Sequence, residues 1–558
     1  MLLHARKPLI GFAISCAIGA GLYACGGDDA PATNATNAGN GGGTQPTSPT
    51  TPPAPPTPVV QGRWTTGDLH VHTIQSNDAQ TPLADVLDQA FGKYQLDWIT
   101  LSNHLRVSDR DHTGAAIAGG SVAFSKGMAL YEQPAVKQWQ AAGRYAGKLI
   151  LSATEWDMPT HDHMNIGIFA PSGGKLETAA KAVAKFEYLF TNRSDSLFDP
   201  VDVAAWSAEG PRSYSTHADA LKAVAWLKAN YPDTSYALIN HPSRNPGKYT
   251  AANFRELHDL APNQFFAIEG MVGGQLEPDR GGYTSAYTPE NARSRTYGGV
   301  DYIVAQVGGI WDALLGEGRR IWNVANSDHH FEMANGIYSS SYYPGAYAKN
   351  YVWLKDGSAQ SLLDGLRSGK GFAVYGDLIN ALDFTVSTGG TSREMGGELP
   401  VKTGDKVTLT IRFKSPERNN YEYPLGSGVS FNARPAVDHI DLIAGDVVER
   451  PKPGTPAYDK DTNDSTKVIA TFTRADWKVD KDGYNTVTYT FTATGSRYFR
   501  LRGTNLGPDV AGETQGGNPL ADSRTTIAED QARFNAINLR NYSDLWFYSN
   551  PVFVRQAG

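Results

Sequence analysis

Residues 67–78 read GDLHVHTIQSND: two histidines one residue apart, then an aspartate, Asp78. Along a strand alternate side chains share a face, so His70 and His72 point one way while Leu69 and Val71 point the other. Neutral imidazole is a ligand for divalent metals. A half-polar strand produces the same alternation, so the pair by itself leaves both readings open. The rest of the chain repeats the chemistry. SNH ends in His104, ATEWD carries Glu155, HDHMN carries His161 and His163, NHPS carries His241, and NSDHH carries Asp328, His329 and His330. Eight of the 13 histidines stand in these few motifs. Burying several carboxylates together without cations is costly. Histidine, aspartate and glutamate together suit Zn2+, Mn2+ or Fe2+. Ions held close together lower the pKa of a bridging water, giving hydroxide at neutral pH.

Such residues need a scaffold that gathers them. From residue 63 the pattern is strand, helix, strand. DLHVH reads as a strand, and TPLADVLDQAFGKYQL as a helix with Leu83, Val86, Leu87, Ala90, Phe91 and Tyr94 at helical spacing. DWITLSNH, KLILSATEWD, HMNIGIF, SYALINHP, FFAIEG, RRIWNVANSDHH and FAVYG read as further strands. Helices are expected over HADALKAVAWLKAN, over DYIVAQVGGIWDALLGEG with Gly308 and Gly309 weakening it, and over SAQSLLDGLRSGKG. Repeated alternation predicts a parallel α/β architecture, most simply a barrel, with the histidines and acids at the C-terminal strand ends where barrel sites are built. Segments 105–147 and 170–216 read as long loops that shape the pocket. After residue 381 short alternating stretches between turns predict an all-β sandwich over 382–558. There Tyr542, Trp546 and Phe547 read as core packing, with a ligand surface as the alternative.

The motifs HVH, Asp78, SNH, Glu155, His163, NHP and SDHH together resemble the PHP (polymerase and histidinol phosphatase) family over residues 63–377. That family's opening strand usually reads DLHxHT followed by S[DH], which Asp68 to Asp78 matches. Its second motif is usually TDH; here Asn103 replaces the aspartate and His104 keeps the ligand position. Its closing SDxH is matched by Ser327, Asp328, His329 and His330. The resemblance implies a distorted (β/α)7 barrel over 63–381 with two or three divalent ions. It implies that His70, His72, Glu155 and Asp328 hold one ion, and that Glu155 bridges to a second held by His163 and His241. Asp78, His104 and His330 would hold a third, Asp78 standing where many relatives have histidine. His163, directly before its apolar strand, is preferred to His161; His161 and His329 keep a substrate-side or supporting role, or none. Arg106 and Arg244 follow two ligand motifs and can reach an anionic substrate oxygen; the plainer alternative is an ion-pair arginine.

The expected reaction is hydrolysis of a small phosphoester. The appended β domain is similar to the carbaryl-hydrolase-like branch, which makes carboxyl-ester, carbamate or amide hydrolysis the alternative. A non-catalytic surface lipoprotein is a third reading. Of 558 residues 40% are hydrophobic and 19% charged, with a net charge of −7, and no long basic run offers a nucleic-acid surface. Arg6 and Lys7 precede an apolar run that ends in LYAC, resembling a bacterial lipobox with Cys25 as the lipidated residue. Residues 1–24 are thus expected to be a signal peptide and 25–62 a Gly/Asn/Thr/Pro-rich tether, placing the enzyme on the bacterial cell envelope. The two cysteines, Cys16 and Cys25, leave no thiolate for a metal site.

Overall fold

The computed structural model describes residues 62–273, 280, 288–330, 332–334, 337–339, 342–419 and 434–557. The expected signal segment, Cys25 and the tether up to residue 61 lie outside them. Among the described residues no helix is long and apolar enough to cross a membrane.

The first strand, β1 (Arg63–Val71), runs parallel to β2 (Trp98–Leu101), and β2 parallel to β3 (Leu149–Ser152). Close approach here requires Gly67, because a Cβ at that position would fall 2.0 Å from the Trp98 indole. A second sheet starts at β4 (Thr154–Asp157). It continues antiparallel through β5 (His163–Ser172) to β6 (Ser235–Ile239), then parallel through β7 (Ala267–Val272) to β8 (Trp322–Asn326). Two bridges join the sheets, His104 to Glu155 and Val71 to His329.

The expected parallel alternation breaks at β5. Only residues 158–162 separate it from β4, too few for the crossover a parallel return needs, so the chain must reverse. The antiparallel partner of β1 was absent from the sequence reading: β9 (Ala348–Leu354) pairs with β1 and with β10 (Gly371–Tyr375). Its Tyr-Val-Trp-Leu core favours strand.

The expected helices form. Leu83–Leu87 continues as a π-helical stretch to Lys93. His217–Asn230 starts on a capping box between Thr216 and Asp219. The third is split around Gly308 and Gly309 into Tyr302–Ala305 and Ile310–Leu315. The two segments read as long loops hold helices Gln133–Ala141, Ala180–Phe190 and Pro200–Ser207. Ala180–Phe190 buries Val183, Phe186, Leu189 and Phe190 against the core. Ala251–Leu260 is a further helix.

The C-terminal strands appear as expected, but not all in one separate body. Ala381–Thr388, Lys406–Lys414 and Asn485–Thr492 form an antiparallel sheet with short edges. His439–Asp446, Arg497–Thr504, Trp546–Ser549 and Val552–Gln556 instead join the main sheet, because Trp546–Ser549 pairs antiparallel with β10. That sheet has eleven strands and runs through the 381/382 boundary. Helix Asp530–Ser543 interrupts the all-β pattern. Tyr542, Trp546 and Phe547 are core residues, each nearly inaccessible to solvent.

Candidate metal centre

Most of the candidate ligands sit where strands end. β1 delivers His70 and His72, β2 leads to His104, β6 to His241, and β8 to Asp328 and His330. His163 is the first residue of β5, yet it reaches the same place. Because β5 runs opposite to its neighbours, its start lies where they finish. His241 and Asp328 have φ of 27° and 46°, on the positive side that residues other than glycine seldom adopt.

At the centre is Glu155, on β4 and almost fully buried. Five imidazole nitrogens face its carboxylate: His163 Nδ1 at 2.9 Å, His70 Nε2, His104 Nδ1 and His241 Nε2 at 3.1 Å, and His72 Nε2 at 3.3 Å. Asp328 Oδ1 lies 3.1 Å from His70 Nε2 and 3.4 Å from His72 Nε2. Asp78 contacts His104 Nε2 at 2.9 Å and His330 Nε2 at 3.6 Å. The donor atoms fall into compact groups: His70, His72, Glu155 and Asp328; His72, Asp78, His104 and His330; His104, Glu155 and His163; Asp162, His163 and His241. The first is the group that the resemblance implies. The second adds His72 to the expected trio, and the last brings in Asp162, which the sequence reading did not single out.

The electrostatics follow from burial and mutual facing. Burial pushes the Glu155 carboxyl up, but His163, His70 and His104 outweigh it and hold the group well below the carboxylate range. Burial lowers the His163 imidazole, while Glu155 and Asp157 raise it to about 9. His104 and His330 go the other way, to about 3 and about 4, because burial and the neighbouring His72 dominate. Several buried donor atoms have no hydrogen-bond partner: Glu155 Oε2, His104 Nδ1, His241 Nδ1 and Asp78 Oδ1. Buried polar atoms are rarely left so. A nitrogen-and-oxygen donor set with unmet acceptors fits divalent cations.

The supporting residues were mostly invisible in the sequence. His70 Nδ1 lies 2.8 Å from Glu269 Oε2, which leaves Nε2 for the cluster. The Ser76 hydroxyl donates to Asn103 Oδ1, so it accepts from His72 Nδ1 at 3.0 Å, which turns His72 Nε2 toward the cluster. Asn103 also accepts from the Thr73 amide at 2.7 Å and donates to Glu132 Oε2 at 3.0 Å. Asp68 accepts the His70 and Ser327 amides, pinning β1 to the loop that carries Asp328.

Other predicted residues have different surroundings. His161 Nδ1 contacts the Lys248 carbonyl at 2.5 Å, and its Nε2 contacts His217 Nδ1 at 2.8 Å. His217 passes on to Glu256 at 2.8 Å. With both nitrogens engaged, His161 fastens loops rather than facing the cluster. His329 is held by the Tyr342 carbonyl and Thr81. Arg106 forms a fork with Asp157, Nε at 2.8 Å and Nη2 at 2.5 Å. Arg244 does the same with Asp162, at 3.3 and 2.6 Å. Both arginines flank His163, at 3.4 and 3.3 Å.

No family model matches the chain, and no curated protein matches it. Solved structures do match. One is a two-domain protein from Bacteroides vulgatus described as containing a predicted PHP-like metal-dependent phosphoesterase. It is 12% identical, the match covers 83% of this chain and 94% of that one, and the TM-score is 0.30. A likeness this slight carries no chemistry, which rests on the residues themselves.

Proposed function

We propose that the protein is a metal-dependent hydrolase acting on small phosphoesters. The observation that carries the proposal is Glu155: one buried carboxylate faced by five imidazoles, with unmet donor atoms around it. The proposed scaffold is a distorted seven-stranded barrel. The ladder from β4 to β8 and the bridges His104–Glu155 and Val71–His329 support closure.

His70, His72, Glu155 and Asp328 would hold one divalent ion; Glu155, His163 and His241 a second; and Asp78, His104 and His330 a third. Such ions supply Lewis acidity and activate water at neutral pH. The chain's own residues hold the geometry. Glu269 and Ser76 fix the tautomers of His70 and His72 so that both Nε2 atoms face inward. Arg106, whose Nη1 lies 3.7 Å from Asp78, keeps one edge outside its Asp157 fork to orient a substrate oxygen.

Carboxyl-ester, carbamate or amide hydrolysis is the second reading. It is favoured by one observation, that Arg106 and Arg244 are each neutralised by an aspartate. Attachment to the cell envelope through lipid on Cys25 is part of the proposal.

The test uses the purified full chain, metal-loaded and chelator-stripped, with 4-nitrophenyl phosphate, bis(4-nitrophenyl) phosphate and naphthyl acetate. We expect metal-dependent phosphoester turnover. In Glu155→Gln and His70→Ala the loss should exceed the ~100-fold that bounds substitutions of outer partners. Ester turnover without phosphoester turnover would establish the second reading; no turnover of any substrate would leave a binding lipoprotein. Recovery of the protein in the soluble rather than the membrane fraction of its cells would remove the lipid anchor.

A further inference from the structure

The cluster is open on one side. His70, His72, Glu155 and His241 are buried, whereas the side chains of Asp78, Arg106 and Asp157 are 34%, 39% and 45% exposed. These three residues, with His163 behind them, form the mouth. Arg106 spends its Nε–Nη2 edge on Asp157, one of the edges by which a guanidinium grips a phosphate in bidentate fashion. Asp157 Oδ1 also lies 3.1 Å from His163 Nε2, so its carboxylate stands directly over a candidate ligand. Deeper in, Arg244 is forked to Asp162, which takes a further hydrogen bond from Asn245 at 2.6 Å. Two guanidinium charges therefore face three carboxylates, those of Asp78, Asp157 and Asp162.

A phosphomonoester carries two negative charges at neutral to alkaline pH, and a phosphodiester carries one. At this mouth the second charge meets Asp157 and finds the Nε–Nη2 edge of Arg106 already filled. We propose that Asp157 determines specificity, selecting phosphodiesters over phosphomonoesters by occupying Arg106 and by placing its own carboxylate beside the reacting group. The proposal rests on the phosphoester reading of the site and adds to it the charge of the substrate.

The experiment compares kcat/KM for bis(4-nitrophenyl) phosphate and 4-nitrophenyl phosphate at pH 8, which share a leaving group, on the metal-loaded full chain. The unaltered protein should prefer the diester. Asp157→Asn keeps the shape and frees the arginine. It should narrow the diester-to-monoester ratio by about 10-fold, the scale of one like-charge contact at a solvated mouth. The change should come chiefly through a lower KM for the monoester, with bound metal unchanged. Arg106→Ala leaves Asp157 unopposed and should widen the ratio. A monoester preference in the unaltered protein, a ratio in Asp157→Asn within about twofold of the original, or loss of metal in that variant would each overturn the inference while leaving phosphoester hydrolysis standing. Turnover of neither substrate would overturn the phosphoester reading and this inference together.

Discussion

Asn103 shows how one atom can decide a site. Its carbonyl oxygen accepts from Thr73 and Ser76, and its amide donates to the buried carboxyl of Glu132. Burial raises that carboxyl to about 7, with Ser152 and Asn103 opposing. An aspartate at 103 would replace the amide donor facing Glu132 with a second buried carboxyl, which repels the first or must share a proton with it. Asn103→Asp should therefore cost roughly 3 kcal/mol of stability and weaken metal binding by disturbing Ser76 and His72. Adding Glu132→Gln supplies a donor facing the new carboxylate and should restore most of both. Equal losses in the single and double variants, measured by denaturant titration and metal content, would refute the pairing. The candidate ligands were legible because metal binding would restrict residue types, and the motifs recur where strands end. Glu132, Glu269, Asp157 and Asp162 were not, because each acts through a partner brought near by the fold. His70 and Glu269, for example, are 199 positions apart.

At the scale of elements, helix Ala251–Leu260 shows what holds the body together away from the cluster. It carries Arg255, His258 and Asp259 into a network with Glu317, Arg319 and Tyr458. His258 is almost fully buried. Burial, and then the neighbouring Arg319 and Arg450, lower its pKa to about 3. A histidine depressed in the folded state binds its proton more readily when unfolded. Its contribution to stability is therefore complete above about pH 6.5 and is lost as pH falls toward 3, at up to about 1.4 kcal/mol per pH unit. Stability curves between pH 7 and 4.5 should be shallower for His258→Asn than for the unaltered chain; parallel curves would contradict this. The periodicity of His217–Asn230 was plain in the sequence because its apolar spacing is regular. The reversal at β5 was equally determined by five intervening residues, but there the alternation of strand and helix suggested a parallel return.

At the scale of the whole molecule, the strand patterns on both sides of residue 381 were readable, while their junction was not. Pairing between Phe372 and Ser549 is a long-range choice that periodicity does not carry. It makes the two regions one sheet, and Arg255 with Tyr458 adds a second tie. A chain ending at residue 381 should therefore fail to give a soluble, cooperatively unfolding protein. Two separate thermal transitions in the full chain, or a stable fragment 62–381, would show that the regions fold independently.

The shared sheet also sets an order in time. Every candidate ligand, from His70 to His330, leaves the ribosome well before Trp546–Ser549 exists to cover β10. Until then β10 is a bare edge of the kind that templates association with other chains. Synthesis that pauses between the two segments exposes that edge, so chaperone demand should fall on the interval after residue 375 rather than on assembly of the candidate ligand cluster.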